Sequence, residues 1–139
     1  MQVISMTDGK IKKNFTAGKE VIVKQSSFNE IQNIEKARSI FKKHHIVLNG
    51  EEFQFHLPKI YDYQNGCIYM EFLLGKNLEL SLRNNHTRES AIQTTNCIFQ
   101  YMFDKQIYWG DFAPRNIMID EDNKKINLCD FERGIKLNI

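Results

Sequence analysis

The sequence predicts an α+β fold in two parts, an antiparallel sheet carrying one long helix and then a shorter, mostly helical part. Three observations point to it. Runs of β-branched and alternating residues fill the first 25 positions and return at 57–72, with Asp8-Gly9 and Asn65-Gly66 marking hairpin turns. Two other stretches, about 27–44 and 88–105, repeat apolar residues every three to four positions, as amphipathic helices do. No internal repeat or low-complexity tract interrupts this order.

Each element has a local reason. Val3 to Met6 reads as a strand, Thr7-Asp8-Gly9-Lys10 as a turn, and Ile11 to Thr16 as the antiparallel return. Ala17-Gly18-Lys19-Glu20 is a second turn before the β-branched run Val21-Ile22-Val23 and Lys24. Ser26 or Ser27 offers a helix N-cap, and Glu30 completes a capping box with Ser27. Phe28, Ile31, Ile34, Ala37, Ile40 and Phe41 form the apolar stripe, and Lys42, Lys43 and His44 suit the negative end of the helix dipole. Leu57 to Tyr63, the turn Gln64-Asn65-Gly66 and Cys67 to Phe72 make a hairpin. Leu73 to Lys76 is a connector, Leu78, Leu80 and Leu82 mark a short helix, and Arg88 to Lys105 a longer one with Ile92, Thr95, Ile98, Phe99, Met102 and Phe103 inward. Two short strands follow near Ile117–Ile119 and Ile126–Cys129, around Asp120-Glu121-Asp122-Asn123. The first lobe is thus 1–72, the hinge 73–76 and the second lobe 77–139, with a cleft between.

Composition narrows the function classes. At 139 residues the chain fits one domain or two small lobes sharing a site, and 42% hydrophobic content is enough for a packed core. Basic and acidic residues interleave to a net charge of +2, so neither a nucleic-acid stripe nor a polybasic membrane tail is expected. Cys67, Cys97 and Cys129 are scattered without zinc-ligand spacing, which suits buried thiols in a reducing compartment. There is no apolar run of about 20 residues and no signal-peptide pattern, so a cytoplasmic protein without a membrane partner is expected.

The segment Tyr108-Trp109-Gly110-Asp111-Phe112-Ala113-Pro114-Arg115-Asn116-Ile117-Met118-Ile119-Asp120 carries the chemistry. A carboxylate and an amide stand five residues apart across a proline-containing loop, and Asp130 closes a second strand fourteen residues later. This order puts Asp111, Asn116 and Asp130 at the ends of adjacent strands, where their oxygens can converge. Amide and carboxylate oxygens suit Mg²⁺ shared with phosphates, and a further carboxylate can orient an attacking hydroxyl.

These residues resemble the protein-kinase-like superfamily. Asp111 to Asn116 is similar to the catalytic loop D-x-x-x-x-N, and Asp130-Phe131 to the start of the D-F-G motif. Upstream, Val21-Ile22-Val23-Lys24 resembles the strand that presents the phosphate-binding lysine. The resemblance implies that Glu35 pairs with Lys24, with Glu30 as competitor. It implies ATP and Mg²⁺ as cofactors, Lys24 and Asp111 as catalytic residues, and Asn116 and Asp130 as metal ligands. Met70 would back the adenine, and the backbone near Glu71–Leu73 would hold its edge.

Departures specify the kind of enzyme. No G-x-G-x-x-G precedes Lys24; only Gly9 lies near the expected loop. Gly110 rather than arginine precedes Asp111, as in aminoglycoside phosphotransferases, RIO kinases and the small kinase of the KEOPS complex. Ala113 stands where serine/threonine kinases carry lysine, and Arg115 sits where many tyrosine kinases carry arginine. Glu132 replaces the third residue of D-F-G, and the sequence given has no activation segment. The reading is a minimal protein kinase with a protein substrate or an activating protein partner, an economy comparable to small bacterial effector kinases. A pseudokinase scaffold, an ATPase switch and a small-molecule kinase are the alternatives.

Overall fold

The β-branched residues of the first segment need only tight turns to pair with one another. In the computed structural model, which describes residues 3–5, 11–16, 19–110, 112–131 and 134–137, they form β1 (Val3–Ser5), β2 (Ile11–Thr16) and β3 (Lys19–Gln25), an antiparallel meander. Met6 to Lys10 and Ala17-Gly18 lie outside the described residues, and with them the whole first predicted turn and half of the second. Lys19 and Glu20, expected in the second turn, already pair with Thr16 and Phe15.

Helix α1 (Phe28–Phe41) starts at Ser27, but the expected capping box does not form. Ser27 makes no side-chain cap bond, and the Glu30 carboxylate turns to Lys24 instead. The helix ends before the expected residue 44, because Lys42 closes the last turn onto the Arg38 carbonyl and His44 turns back onto that of Phe41. Glu30, Ile34, Ala37 and Phe41 form its buried face. Phe28, expected inward, is 54% exposed and meets Tyr63 edge-on.

A hairpin absent from the sequence-based expectation follows: β4 (His45–Leu48) and β5 (Glu51–His56). Its turn is Asn49-Gly50, with φ of 53° and 78°, the left-handed pair that two-residue hairpins require. The next hairpin, β6 (Ile60–Gln64) and β7 (Cys67–Glu71), turns at Asn65-Gly66 as expected. It begins at Ile60 rather than Leu57. Pro58 has no N–H for a ladder, and the carbonyls of Leu57 and Pro58 accept from the Arg38 guanidinium at 3.4 and 2.8 Å.

The chain continues through β8 (Lys76–Asn77), α2 (Leu78–Arg83), α3 (Arg88–Lys105) and β9 (Ile107–Trp109). A 3₁₀ turn at Pro114–Asn116 then leads into β10 (Ile117–Asp120), β11 (Lys125–Leu128) and β12 (Ile135–Leu137). Asn77 caps α2 by accepting from the Leu80 N–H at 3.2 Å. On α3 the inward residues are Ala91, Ile98 and Met102; Ile92 and Phe103, expected inward, are exposed.

The described strands form one sheet of order β1-β2-β3-β7-β6, a second of order β4-β5-β11-β10-β8, and the pair β12-β9. Among the described strand pairs only β5 and β11 run parallel. The division expected at residue 72 therefore does not separate the sheets: β4 and β5 precede it yet belong to the sheet of residues 76–128. Ile117, Ile126 and Leu128, fully buried, pack in one cluster with Ile34, Ala37 and Phe41 of α1 and Ile98 and Met102 of α3. Each of these isoleucine, leucine, phenylalanine and methionine side chains stabilises the fold by about 1.5–3 kcal/mol. Helix α1 is thereby anchored on the second sheet while its first turn reaches β3, and that span sets the site. Among the described residues no helix is long and apolar enough to cross a membrane.

Candidate functional site

Lys24 lies near the end of β3, paired with Ile11 of β2 and Ile68 of β7, and its side chain is only 9% exposed. A lysine so buried needs compensating charge. Its Nζ donates to Glu30 Oε2 at 2.8 Å and lies 3.5 Å from Asp130 Oδ1. The three groups come from β3, the first turn of α1 and the segment after β11, so the fold, not chain proximity, brings Asp130 to the pair.

Glu30, not Glu35, is the partner of Lys24, which corrects the sequence-based assignment. The cause is helical phase. Glu30, Ile34, Ala37 and Phe41 are spaced four, three and four and share one face. Glu35 follows Ile34 by about 100° of rotation, is 58% exposed on its side chain, and faces Arg38 at 3.5 Å. The spacing is legible in the sequence, where Glu30 also occupies the capping-box position after Ser27. One Glu30 oxygen, Oε1, is buried and has no hydrogen-bond partner among the described residues.

Asp130 sits two residues beyond β11 with φ of 67°, a left-handed conformation uncommon for residues with a side chain but among those aspartate adopts more readily than most. The Trp109 indole Nε1–H donates to the Asp130 carbonyl at 2.7 Å. The Trp109 ring also stacks on the fully buried Phe131 ring, 4.6 Å between centroids and 7° from parallel. Asn116 ends the 3₁₀ turn, 7% exposed, and its carbonyl accepts from the Cys129 N–H at 3.0 Å. The Cys129 thiol lies 3.5 Å from that carbonyl oxygen and 4.0 Å from Asn116 Oδ1. The β10–β11 register thus sets Asn116 beside Cys129, the residue before Asp130. Asp111 lies outside the described residues. Its neighbours are held: Gly110 N–H donates to the Gly134 carbonyl and Phe112 N–H to that of Trp109, both at 3.1 Å.

The expected adenine edge needs amendment. Met70 is buried on β7, opposite Ile22 of β3 and Ile60 of β6. The Glu71 N–H is donated to the Lys59 carbonyl at 2.8 Å, so it does not face a ligand. The Glu71 carboxylate accepts from the Lys59 N–H at 3.1 Å and meets His56 Nε2 at 2.9 Å. Leu73 is half-buried in the connector after β7. Gly9, near the expected loop before Lys24, lies outside the described residues. Arg115 is exposed, and its carbonyl accepts from Asn77 Nδ2 at 2.8 Å.

Burial opposes ionisation of Glu71, yet the His56 imidazole and the Lys59 N–H hold its carboxyl below the usual range. A carboxyl with a depressed native value stabilises the fold above its unfolded value, near 4.5, and loses that contribution as pH falls through the native value. The stability gap between wild type and Glu71→Gln should therefore be widest above pH 4.5 and narrow below it. Urea midpoints over an acid pH series measure this; a gap independent of pH would contradict the assignment.

The donor chemistry fits a magnesium nucleotide. Asn116 Oδ1 and the Asp130 carboxylate are hard oxygen donors, and Lys24 carries one positive charge between two carboxylates, one with an unmatched oxygen. Among the described residues no group of three or more His, Cys, Asp or Glu side chains could hold a metal ion. Magnesium held by one or two protein oxygens and by phosphates does not require such a group.

No protein-family model matches the chain. No curated protein sequence matches it either. Among solved structures it is similar to the complex of Rv3197 with erythromycin from Mycobacterium tuberculosis. The likeness has a TM-score of 0.61 at 16% identity and covers 96% of this chain and 45% of that one. At that identity the likeness is one of fold, and this chain spans less than half of that protein's length.

Proposed function

We propose that the chain is an ATP- and magnesium-dependent phosphotransferase of two-lobed protein-kinase-like architecture, acting on a protein hydroxyl. The observation that carries this reading is the meeting of Lys24 with Glu30 at 2.8 Å and Asp130 at 3.5 Å. The element order supports it as well, with the lysine on β3, its partner on the following helix, and Asn116 and Asp130 flanking the β10–β11 hairpin.

Bound ATP with magnesium supplies the phosphoryl group and the cation that neutralises it. Lys24, oriented by Glu30, would neutralise phosphate oxygens. Asn116 and Asp130 would hold the cation, and Asp111 would orient the acceptor hydroxyl and take its proton. Catalysis in such a site is mostly positioning and charge neutralisation, for which few side chains suffice.

The test is magnesium-dependent ATP binding followed by transfer of labelled γ-phosphate to a cell lysate and to the chain itself. Asp111→Ala and Asp130→Ala are each expected to lower transfer by about 10²-fold or more. Nucleotide binding with the same background turnover in all three proteins would leave a nucleotide-binding scaffold in place of the enzyme.

A further inference from the structure

We propose that Asn33 is a positioning residue, holding the turn after Asp130 in the form that directs its carboxylate into the site; the proposal rests on the phosphotransferase reading. Asn33 Nδ2–H donates to the Phe131 carbonyl at 2.7 Å across 98 residues of chain. One turn earlier on the same face, Glu30 Oε2 accepts from the Phe131 N–H at 3.3 Å. Helix α1 thus holds both polar groups of the Phe131 backbone, immediately after Asp130.

The Phe131 carbonyl also accepts from the Gly134 N–H at 3.1 Å, and the Gly134 carbonyl accepts from the Gly110 N–H at 3.1 Å. Gly110 directly precedes Asp111. One amide on α1 therefore ties the helix to the backbone beside both carboxylates assigned to the chemistry. Gly134 has a φ of +80°, which favours glycine, while a Cβ there would make only ordinary contact with Asn33 Oδ1, at 3.6 Å. Phe131 itself is fully buried against Trp109, so the carbonyl stays in reach of the amide.

The chemistry requires a donor at position 33. A leucine of similar volume would leave the Phe131 carbonyl with one partner fewer, and an aspartate of the same shape would set a carboxylate against that oxygen. Either change frees Asp130 to leave its left-handed conformation, and the carboxylate then spends less time where a cation would meet it.

A fluorescent ATP analogue titrated with Mg²⁺ on the full chain tests the proposal. Asn33→Leu and Asn33→Asp should each raise the Mg²⁺ concentration for half-maximal binding by about 10-fold or more. Binding of the analogue without Mg²⁺ should be unchanged, and hydrogen exchange at the Phe131 amide should quicken. Asn33→Gln, which keeps a donor, should recover much of the loss. If Asn33→Leu fails to fold, Asn33→Asp gives the same reading without a change of shape. An unchanged Mg²⁺ requirement in the variants, with or without a lower melting temperature, overturns the role of Asn33 alone. A wild type whose nucleotide binding ignores Mg²⁺ overturns the phosphotransferase reading and this proposal together.

Discussion

Glu30→Ala should destabilise the protein by about 3 kcal/mol, and Glu35→Ala by less than about 0.5 kcal/mol. The contrast follows from geometry. The Glu30 side chain is 1% exposed and forms an ion pair with a lysine that is 9% exposed, so removing it strands a buried positive charge. Asp130, 3.5 Å from Lys24 and 31% exposed, compensates only in part. The Phe131 N–H loses its acceptor at the same time. Glu35 meets Arg38 in solvent, where such a pair is worth little. Urea unfolding measures both variants; with slopes of about 1–3 kcal/mol per molar, the Glu30 midpoint should fall by about 1 M or more. Equal midpoints for the two would mean that Lys24 is held by other groups.

The second large effect concerns the connector between β7 and β8. A Cβ on Gly75 would lie 2.7 Å from the Ile119 carbonyl carbon and oxygen and 2.9 Å from the Asp120 nitrogen. All three are backbone atoms of β10, which cannot give way without moving the sheet, and Gly75 itself has φ of +121°. The Asn127 side chain, buried on β11, pins the same connector by donating to the Leu74 carbonyl at 2.6 Å. Gly75→Ala should therefore cost about 3 kcal/mol, combining overpacking with a disfavoured backbone conformation. Gly50→Ala and Gly66→Ala are the controls. Both glycines have positive φ, but nothing lies within 4 Å of a Cβ on either, so only the conformational cost of about 1 kcal/mol applies. Equal losses at all three positions would refute the close approach.

Much of the fold is legible because it depends on local chemistry. The bounds of α3 follow from its periodicity, and the Asn65-Gly66 turn from the need for two left-handed residues. The β4–β5 hairpin carried the same signal in Asn49-Gly50, with Ile46, Leu48 and Phe53 on its buried side. Two histidines and two adjacent glutamates around it mask its apolar alternation. Strands β9 and β12 are three residues each and had no comparable signal, since their pairing brings together distant segments, Trp109 against Ile135, 26 residues apart.

The candidate site divides in the same way. Lys24, Asn116 and Asp130 stood out through residue type and spacing, and the phase of α1 contained the choice between Glu30 and Glu35. Asn33 had no sequence signature. Its role needs the carbonyl of a residue 98 positions away, and nothing in the sequence near Asn33 identifies that carbonyl. The contact between Lys24 and Asp130 likewise depends on how α1 settles on the β11 side of the core.

By itself, the sequence determined the two long helices, the first strands, the Asn65-Gly66 hairpin and the β10–β11 pair, and it singled out Lys24, Asn116 and Asp130 by residue type and spacing. Those properties depend on a residue and its near neighbours. Tertiary structure alone decided that β4 and β5 join the later sheet, that Glu30 and Asn33 face the turn after Asp130, and that Lys24 lies between two carboxylates. Distant groups meet where apolar burial draws whole elements together, and that packing depends on every face at once.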